Sequence, residues 1–169
     1  GTWTSNGAGT VNSATDVANA TYTAGSAETG SITLTLTTSG GSCSTTTDTK
    51  TITINANPTA SAGSALSAIC QSGTSAAMGG SVGGGATGGT WTSNGAGTVN
   101  SATDVANATY TAGSAETGSI TLTLTTSGGS CSTTTDTKTI TINENPTASA
   151  GAALSAICQS GTSAAMGGS

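Results

Sequence analysis

The feature that most constrains this chain is an internal repeat: residues 1–81 recur as residues 89–169 with only two differences. Ala56 is replaced by Glu144 and Ser64 by Ala152, which gives a period of 88 residues. This period is too long for the common helical solenoids and suits a small domain that folds by itself. We therefore expect these residues to be a segment of a tandem array of nearly identical modules.

The pattern within each period is that of β-strands. The stretch SITLTLTT at 31–38 places Ile32, Leu34 and Leu36 on one face and threonines on the other. The stretch TKTITIN at 49–55 continues the same alternation. Alternation of apolar and β-branched polar residues between Gly/Ser clusters is typical of half-buried antiparallel strands, and no segment has helical periodicity. The predicted class is all-β.

Two prolines indicate where the modules begin. Pro58 and Pro146 follow the TITIN strands, and proline cannot continue a central strand. The chain then divides into the C-terminal part of one module (1–57), a complete module (58–145) and the N-terminal strands of the next (146–169). Turn signals about every ten residues favour an immunoglobulin-like β-sandwich of seven strands. We predict these strands at 60–64, 65–69, 76–82, 89–93, 106–111, 119–125 and 137–143.

The predicted core is small. The aromatic residues Trp3, Trp91, Tyr22 and Tyr110 are interpreted as core anchors, two in each period. The other large apolar residues of the complete module are few: Leu66, Ile69, Met78, Val82, Val99, Val105, Ile120, Leu122, Leu124, Ile140 and Ile142. Because ordering about 88 residues costs much conformational entropy, we expect a covalent link and neighbouring modules to add stability.

The cysteines predict that link. Each period has two, and the absence of histidine and of CxxC spacing argues against a zinc site. A disulfide is the preferred interpretation, and it places the protein outside the cytosol. We favour Cys70–Cys131 within the complete module, with Cys43 and Cys158 pairing with equivalents in neighbouring modules. The alternative is Cys43–Cys70, which would link consecutive modules across Pro58.

The composition excludes several functions. Charged residues make up 5% of the chain, and it contains two Lys/Arg residues and no histidine. Two cations cannot neutralise a nucleic-acid backbone, and a Ser-His-Asp triad is ruled out, so we predict neither a nucleic-acid partner nor an enzyme. The sequence also lacks an apolar run long enough for a transmembrane helix.

The few acidic residues are interpreted mainly as solvated turn residues. In the complete module this interpretation applies to Asp104, Glu116 and Asp136. The alternative is Ca²⁺ at module junctions, bound by carboxylate and backbone carbonyl oxygens. Otherwise no cofactor is predicted.

A family resemblance follows from the order of the strand motifs. The strings GTWTSNGAGTV, ATYTAG, GSITLTLTTSGGSC, DTKTITIN and PTASAG resemble the PKD-like, immunoglobulin-like repeats of giant surface adhesins from Bacteroidota-type bacteria. The chain departs from the family pattern at Ala24, where proline is usual, and at Val11, where a bulkier residue is usual. The resemblance implies secretion to the cell surface and a structural role in a filament or adhesin stalk, with identical modules as partners.

Two alternative functions remain. The tail of one chain could complete the head of the next, giving a head-to-tail polymer by strand complementation. The outward threonines Thr33, Thr35 and Thr37 with Thr49, Thr51 and Thr53 could instead bind ice or a surface polysaccharide.

Overall fold

The computed structural model describes all residues, Gly1–Ser169, as thirteen β-strands without a helix, which confirms the all-β class. No helix suited to crossing a membrane is present. Residues 1–57 contain β1 (Thr2–Ser5), β2 (Thr10–Asn12), β3 (Thr21–Thr23), β4 (Gly30–Thr37) and β5 (Thr47–Ile54). Residues 58–145 contain β6 (Thr59–Ser61), β7 (Ile69–Cys70), β8 (Ser81–Gly83), β9 (Gly88–Ser93), β10 (Thr98–Asn100), β11 (Thr109–Thr111), β12 (Gly118–Ser127) and β13 (Thr135–Asn143). Residues 146–169 contain no strand.

The largest sheet has the strand order β7-β13-β12-β9. β12 pairs with β13 and β9 in antiparallel fashion, and the short β7 runs parallel to the end of β13. Side chains alternate along the two long strands, so that Leu122, Leu124, Ile140 and Ile142 are buried on one face while threonines occupy the other. This is the period-two pattern that the sequence predicts.

The buried face of this sheet is covered by two ribbons and one extended segment. The ribbons are β10–β11 and β6–β8, both antiparallel. The extended segment covers 75–80, and its N–H groups donate to the carbonyls of Tyr110, Ala108 and Ala106 over 2.8 Å each. These elements enclose a core containing Met78, Trp91 and Tyr110, each 1% exposed or less. All the large apolar residues predicted for the module are buried or packed against this core.

Residues 1–57 fold in the same way but lack the cover. Their sheet has the order β1-β4-β5, and β2–β3 forms the ribbon that corresponds to β10–β11. The apolar face is consequently open: Ile52 is 39% exposed, whereas the equivalent Ile140 is 1% exposed.

The predicted strands 60–64 and 106–111 are shorter in the structure, at Thr59–Ser61 and Thr109–Thr111, and three further differences are larger. Of the segment 65–69 only Ile69 forms strand, and it continues to Cys70. The predicted strand 76–82 narrows to Ser81–Gly83, although the residues before it are extended and hydrogen-bonded. The strand Thr98–Asn100 was missed, because its three residues are too few to show an alternation.

Candidate assembly site

The first component of the candidate site is the covering segment, defined as residues 58–82, which closes the core of the complete module. Met78 lies at its centre, and its N–H donates to Ala108 O over 2.8 Å. Ser75 Oγ accepts a hydrogen bond from Tyr110 N over 2.9 Å. Gly80 passes so close to Trp91 that a Cβ atom there would lie 2.7 Å from Trp91 Cζ2. The segment therefore combines strand pairing with close packing on the central tryptophan.

The second component is the open cleft of residues 1–57, the surface that corresponds to the covered face. It is lined by Trp3, Val11, Val17, Ala18, Ala20, Thr21, Tyr22, Leu34 and Lys50. The carbonyls of Tyr22, Ala20 and Ala18 occupy the positions that accept hydrogen bonds from the covering segment in the complete module, and they receive no such bond here. Trp3 and Tyr22 are only half-buried, whereas Trp91 and Tyr110 are buried. The cleft thus presents both apolar surface and unpaired backbone acceptors.

The two lysines show how the cover changes a side chain. In the complete module Lys138 is 8% exposed, and its Nζ donates to Met78 O and, over 2.8 Å, to Ser64 O. Burial lowers the pKa of Lys138, and the nearby Asp136 carboxylate opposes that shift. Lys50 has the equivalent position, but it is exposed and its Nζ lies 4.7 Å from the centre of the Trp3 ring. Lys138 is not among the core residues predicted from the sequence, although it is buried in the structure.

The third component is the tail, residues 146–169, which repeats the sequence of the covering segment. Ser149 and Ser169 exchange backbone hydrogen bonds of 2.8 and 2.9 Å, as a strand pair does, and their equivalents Ser61 and Ser81 are register partners in β6–β8. Met166 is 76% exposed, whereas its equivalent Met78 is 1% exposed. The tail therefore has part of the covering segment's shape and none of its burial.

A buried tyrosine–glutamate pair anchors the ribbon that faces the cover. Glu116 accepts hydrogen bonds from Tyr110 Oη (2.8 Å), Ala96 N (2.6 Å) and Gly113 N (2.9 Å), and it is 8% exposed. Burial raises the pKa of Glu116, but these donors outweigh burial and bring the pKa below its ordinary value. The interpretation of Glu116 as a solvated turn residue was wrong. Gly95 is required here, since a Cβ atom would lie 2.2 Å from Glu116 Oε1.

The Glu116 site predicts a pH dependence of stability. Because the folded-state pKa lies below the unfolded value, its contribution is complete above the unfolded pKa and is lost as the pH falls through the folded pKa. We expect Glu116→Gln to lower the free energy of unfolding by about 1–3 kcal/mol at pH 7. The variant should also lose less stability than the unmodified chain between pH 6 and pH 3, measured by urea denaturation at each pH.

The matched control is Glu144→Gln, because Glu144 is exposed. It should leave both the stability at pH 7 and its decline in acid unchanged. An equal loss of stability from the two substitutions would contradict the role given to Glu116.

The structure contradicts a Cys70–Cys131 disulfide, and all four cysteines are free thiols. Cys70 pairs with Asn143 at the end of β13, whereas Cys131 lies in the loop that precedes the start of β13. The nine residues of β13 span about 26 Å at about 3.3 Å per step, far beyond the 7 Å Cα separation that a disulfide tolerates. Cys43 and Cys158 are both exposed. Cys43 lies in the loop that precedes β5, the equivalent of the Cys131 loop.

Asp104 and Asp136 also have structural partners. Asp104 accepts hydrogen bonds from the backbone and side chain of Asn107, which lower the pKa of Asp104. Asp136 accepts from Ala62 N over 2.6 Å, and this bond is the main cause of its lowered pKa. No group of three acidic or cysteine side chains lies close enough together to hold a metal ion.

No family model, curated protein or solved structure matches this chain. The function is therefore inferred from the cleft, the covering segment and the tail.

Proposed function

We propose that this chain is a segment of an extracellular structural protein, built of tandem immunoglobulin-like β-sandwich modules that give length and mechanical strength to a bacterial surface filament or adhesin stalk. The observation that carries the proposal is the match between the open cleft and the tail. The tail has the sequence of the segment that closes the same cleft in residues 58–145. Each module is then closed by its own covering segment, and the chain continues from one module to the next.

The junction before the complete module supports an extended and ordered array. Pro58 is buried, and Asn57 O accepts a hydrogen bond from Gly85 N over 3.3 Å. A Cβ atom at Gly85 would lie 2.2 Å from Ala56 O, so the linker lies directly against glycine backbone. Such close contacts favour a fixed angle between consecutive modules over a flexible tether.

The location and the partners follow from the composition and the resemblance. Sparse charge, abundant threonine and serine, and motifs similar to PKD-like adhesin repeats suit a secreted, solvated stalk. Such repeats add length and no chemistry, so the expected partners are identical modules. Hydrogen bonds between the long strands β12 and β13 would resist pulling.

The test is a fusion of two copies of the chain through residues 82–88 (VGGGATG), which restores the 88-residue register. The tail of the first copy should then close the cleft of the second and bury its Trp3. Acrylamide should quench about a quarter of the tryptophans in the fusion, against about half in the single chain, because only the first Trp3 stays accessible. Small-angle scattering should show a rod that grows by roughly 30–45 Å for each module.

The matched control is Gly168→Val in the first copy. Gly168 is equivalent to Gly80, so its new side chain should clash with Trp3 of the second copy only when the tail occupies the cleft. The accessible fraction should then return to about half. If the unsubstituted fusion already shows half of its tryptophans accessible, the tandem arrangement is wrong.

The same cleft and tail also favour a second route, in which separate copies join by strand complementation. In that case the mass of the single chain in sedimentation should rise with concentration, and Gly168→Val should prevent the rise. A mass that stays at 15.7 kDa at all concentrations would rule out this route and leave the continuous array.

Rows of paired threonines on the outer face of the sheet favour a third candidate function, binding of ice or polysaccharide. The outer face of the sheet places Thr123 beside Thr137 and Thr92, and Thr125 beside Thr135 and Thr90. In residues 1–57 the same face pairs Thr33 with Thr51 and Thr35 with Thr49. Thermal hysteresis above that of the buffer would support ice binding, and retention on an immobilised polysaccharide would support glycan binding. Neither effect is expected if the threonines only serve β-propensity on a solvent face.

A further inference from the structure

The two cysteines of each period lie at opposite ends of the complete module, and both lie beside equivalent parts of the linker. Cys70 is the register partner of Asn143, and the adjacent Gln71 N donates to Asn143 O over 3.1 Å. At the other end, Cys131 Sγ lies 3.7 Å from Asn55 O. Asn55 and Asn143 are the same position of the 88-residue period. In a tandem array, the carbonyl of this linker asparagine would therefore lie beside two cysteines. The Cys70-type cysteine belongs to the preceding module, and the Cys131-type cysteine belongs to the following module.

Combining these two contacts in a tandem array brings the cysteines together. The Cys131-type thiol of the following module and the backbone beside Cys70 would lie around a single carbonyl oxygen, which has two acceptor positions. The sulfur could be no farther from Gln71 N than the sum of the two measured distances. The two cysteines would therefore lie at the same junction, one on each side of it, as a disulfide between consecutive modules requires.

Both cysteines are held in place by local structure. A tight turn in which Gly73 N donates to Cys70 O over 2.9 Å follows Cys70. The same turn is formed around Cys158, where Gly161 N donates to Cys158 O over 2.9 Å. Cys131 is half-buried against the linker, while Cys70 is exposed on the side where the following module would begin.

We propose that each junction between modules is closed by a disulfide between the Cys70-type cysteine of one module and the Cys131-type cysteine of the next. The bond forms when two thiols lose two protons and two electrons to a disulfide oxidant, such as oxidised glutathione or an exported thiol oxidase, which is reduced to two thiols. Every module is then joined covalently to both neighbours, in addition to the backbone. This inference rests on the proposed tandem arrangement.

The fusion described above tests the pairing by counting thiols, because its eight cysteines give a different number for each connectivity. The proposed bonds join Cys70 of the first copy to Cys43 of the second, and Cys158 of the first copy to Cys131 of the second. Oxidation with glutathione disulfide should therefore leave four free thiols and remove four hydrogen atoms from the intact mass. Pairing within each module would leave two free thiols, and pairing across each proline linker would leave none.

Two substitutions in the first copy act as a matched pair. Cys70→Ser should remove one of the two disulfides, whereas Cys43→Ser should remove neither, because Cys43 of the first copy has no partner. Trypsin cleaves only after Lys50 and Lys138, so Cys158 of the first copy and Cys43 of the second stay on one peptide that spans the fusion. The two proposed bonds should join this peptide to residues 51–138 of both copies, giving a single disulfide-linked fragment of three peptides.

The outcomes separate this inference from the proposed function. A result of four free thiols, with a quarter of the tryptophans accessible, would support both the junction disulfide and the tandem array. Eight, two or no free thiols with a quarter of the tryptophans accessible overturns the junction disulfide and leaves the tandem array. If half of the tryptophans are accessible, the tandem array is wrong, and the disulfide that depends on it is wrong as well.

Discussion

Replacing Trp91 by alanine should lower the free energy of unfolding by about 3–5 kcal/mol, the usual cost of removing a large aromatic side chain from a core. Trp91 is 1% exposed, lies under Gly80 of the covering segment, and donates its indole N–H to Val105 O over 2.9 Å. Removing the ring leaves a cavity between the sheet and its cover, and Val105 O keeps only one of its two donors, Gly80 N at 3.1 Å. Calorimetry is the suitable measurement, because the substitution also removes a fluorescent reporter.

Trp3→Ala is the control, since Trp3 has the same sequence context and the same indole bond, to Val17 O over 3.1 Å. Trp3 is half-buried in the open cleft, so the substitution should leave the unfolding of residues 58–145 unchanged. In the two-copy fusion, however, Trp3→Ala in the second copy should become as costly as Trp91→Ala. Equal effects of Trp3→Ala in both settings would contradict the idea that the tail closes the cleft.

The second large effect is expected for Lys138→Met, which keeps the apolar stem and removes the ammonium group. Hydrogen bonds to charged groups contribute about 1.5–3 kcal/mol each, and the substitution leaves the buried Met78 carbonyl without its donor. We expect the free energy of unfolding to fall by about 2–3 kcal/mol, measured by urea denaturation at pH 7.

Lys50→Met is the matched control, because Lys50 is exposed and makes no hydrogen bond to a covering segment. It should change stability by less than about 0.5 kcal/mol, as most surface substitutions do. A loss of 2–3 kcal/mol from both substitutions would show that the lysine contributes through the strand itself and not through the cover.

Much of the strand pattern could be predicted from the sequence because the physics is local. Alternation in SITLTLTT and TKTITIN determines which side chains of β12 and β13 lie inside, and Leu122, Leu124, Ile140 and Ile142 are all buried. Lys138 lies on the inward face by the same alternation. A lysine is nevertheless predicted to be exposed unless acceptors for its ammonium group are known. Those acceptors, Met78 O and Ser64 O, lie 60 and 74 residues away along the chain.

The cysteine pairing failed for a related reason. The spacing of the cysteines along the chain determines only the length of the loop that a disulfide would close, and this length is compatible with several pairings. The spacing does not show at which end of the module each thiol lies. Cys70 and Cys131 are separated by the length of β13, and only the register of β7 on that strand reveals it.

The sequence by itself determined the period, the all-β class, the residues of the core and the absence of a histidine-based catalytic site. Each of these depends on residue identity or on spacing within a few residues, so no long-range contact is needed to read it. The tertiary structure alone decided which segment covers which face, that Glu116 and Lys138 are buried, and that the cysteines lie at opposite ends of the module. These features depend on contacts between residues far apart in the chain, and the identical repeats make several such arrangements equally compatible with the sequence.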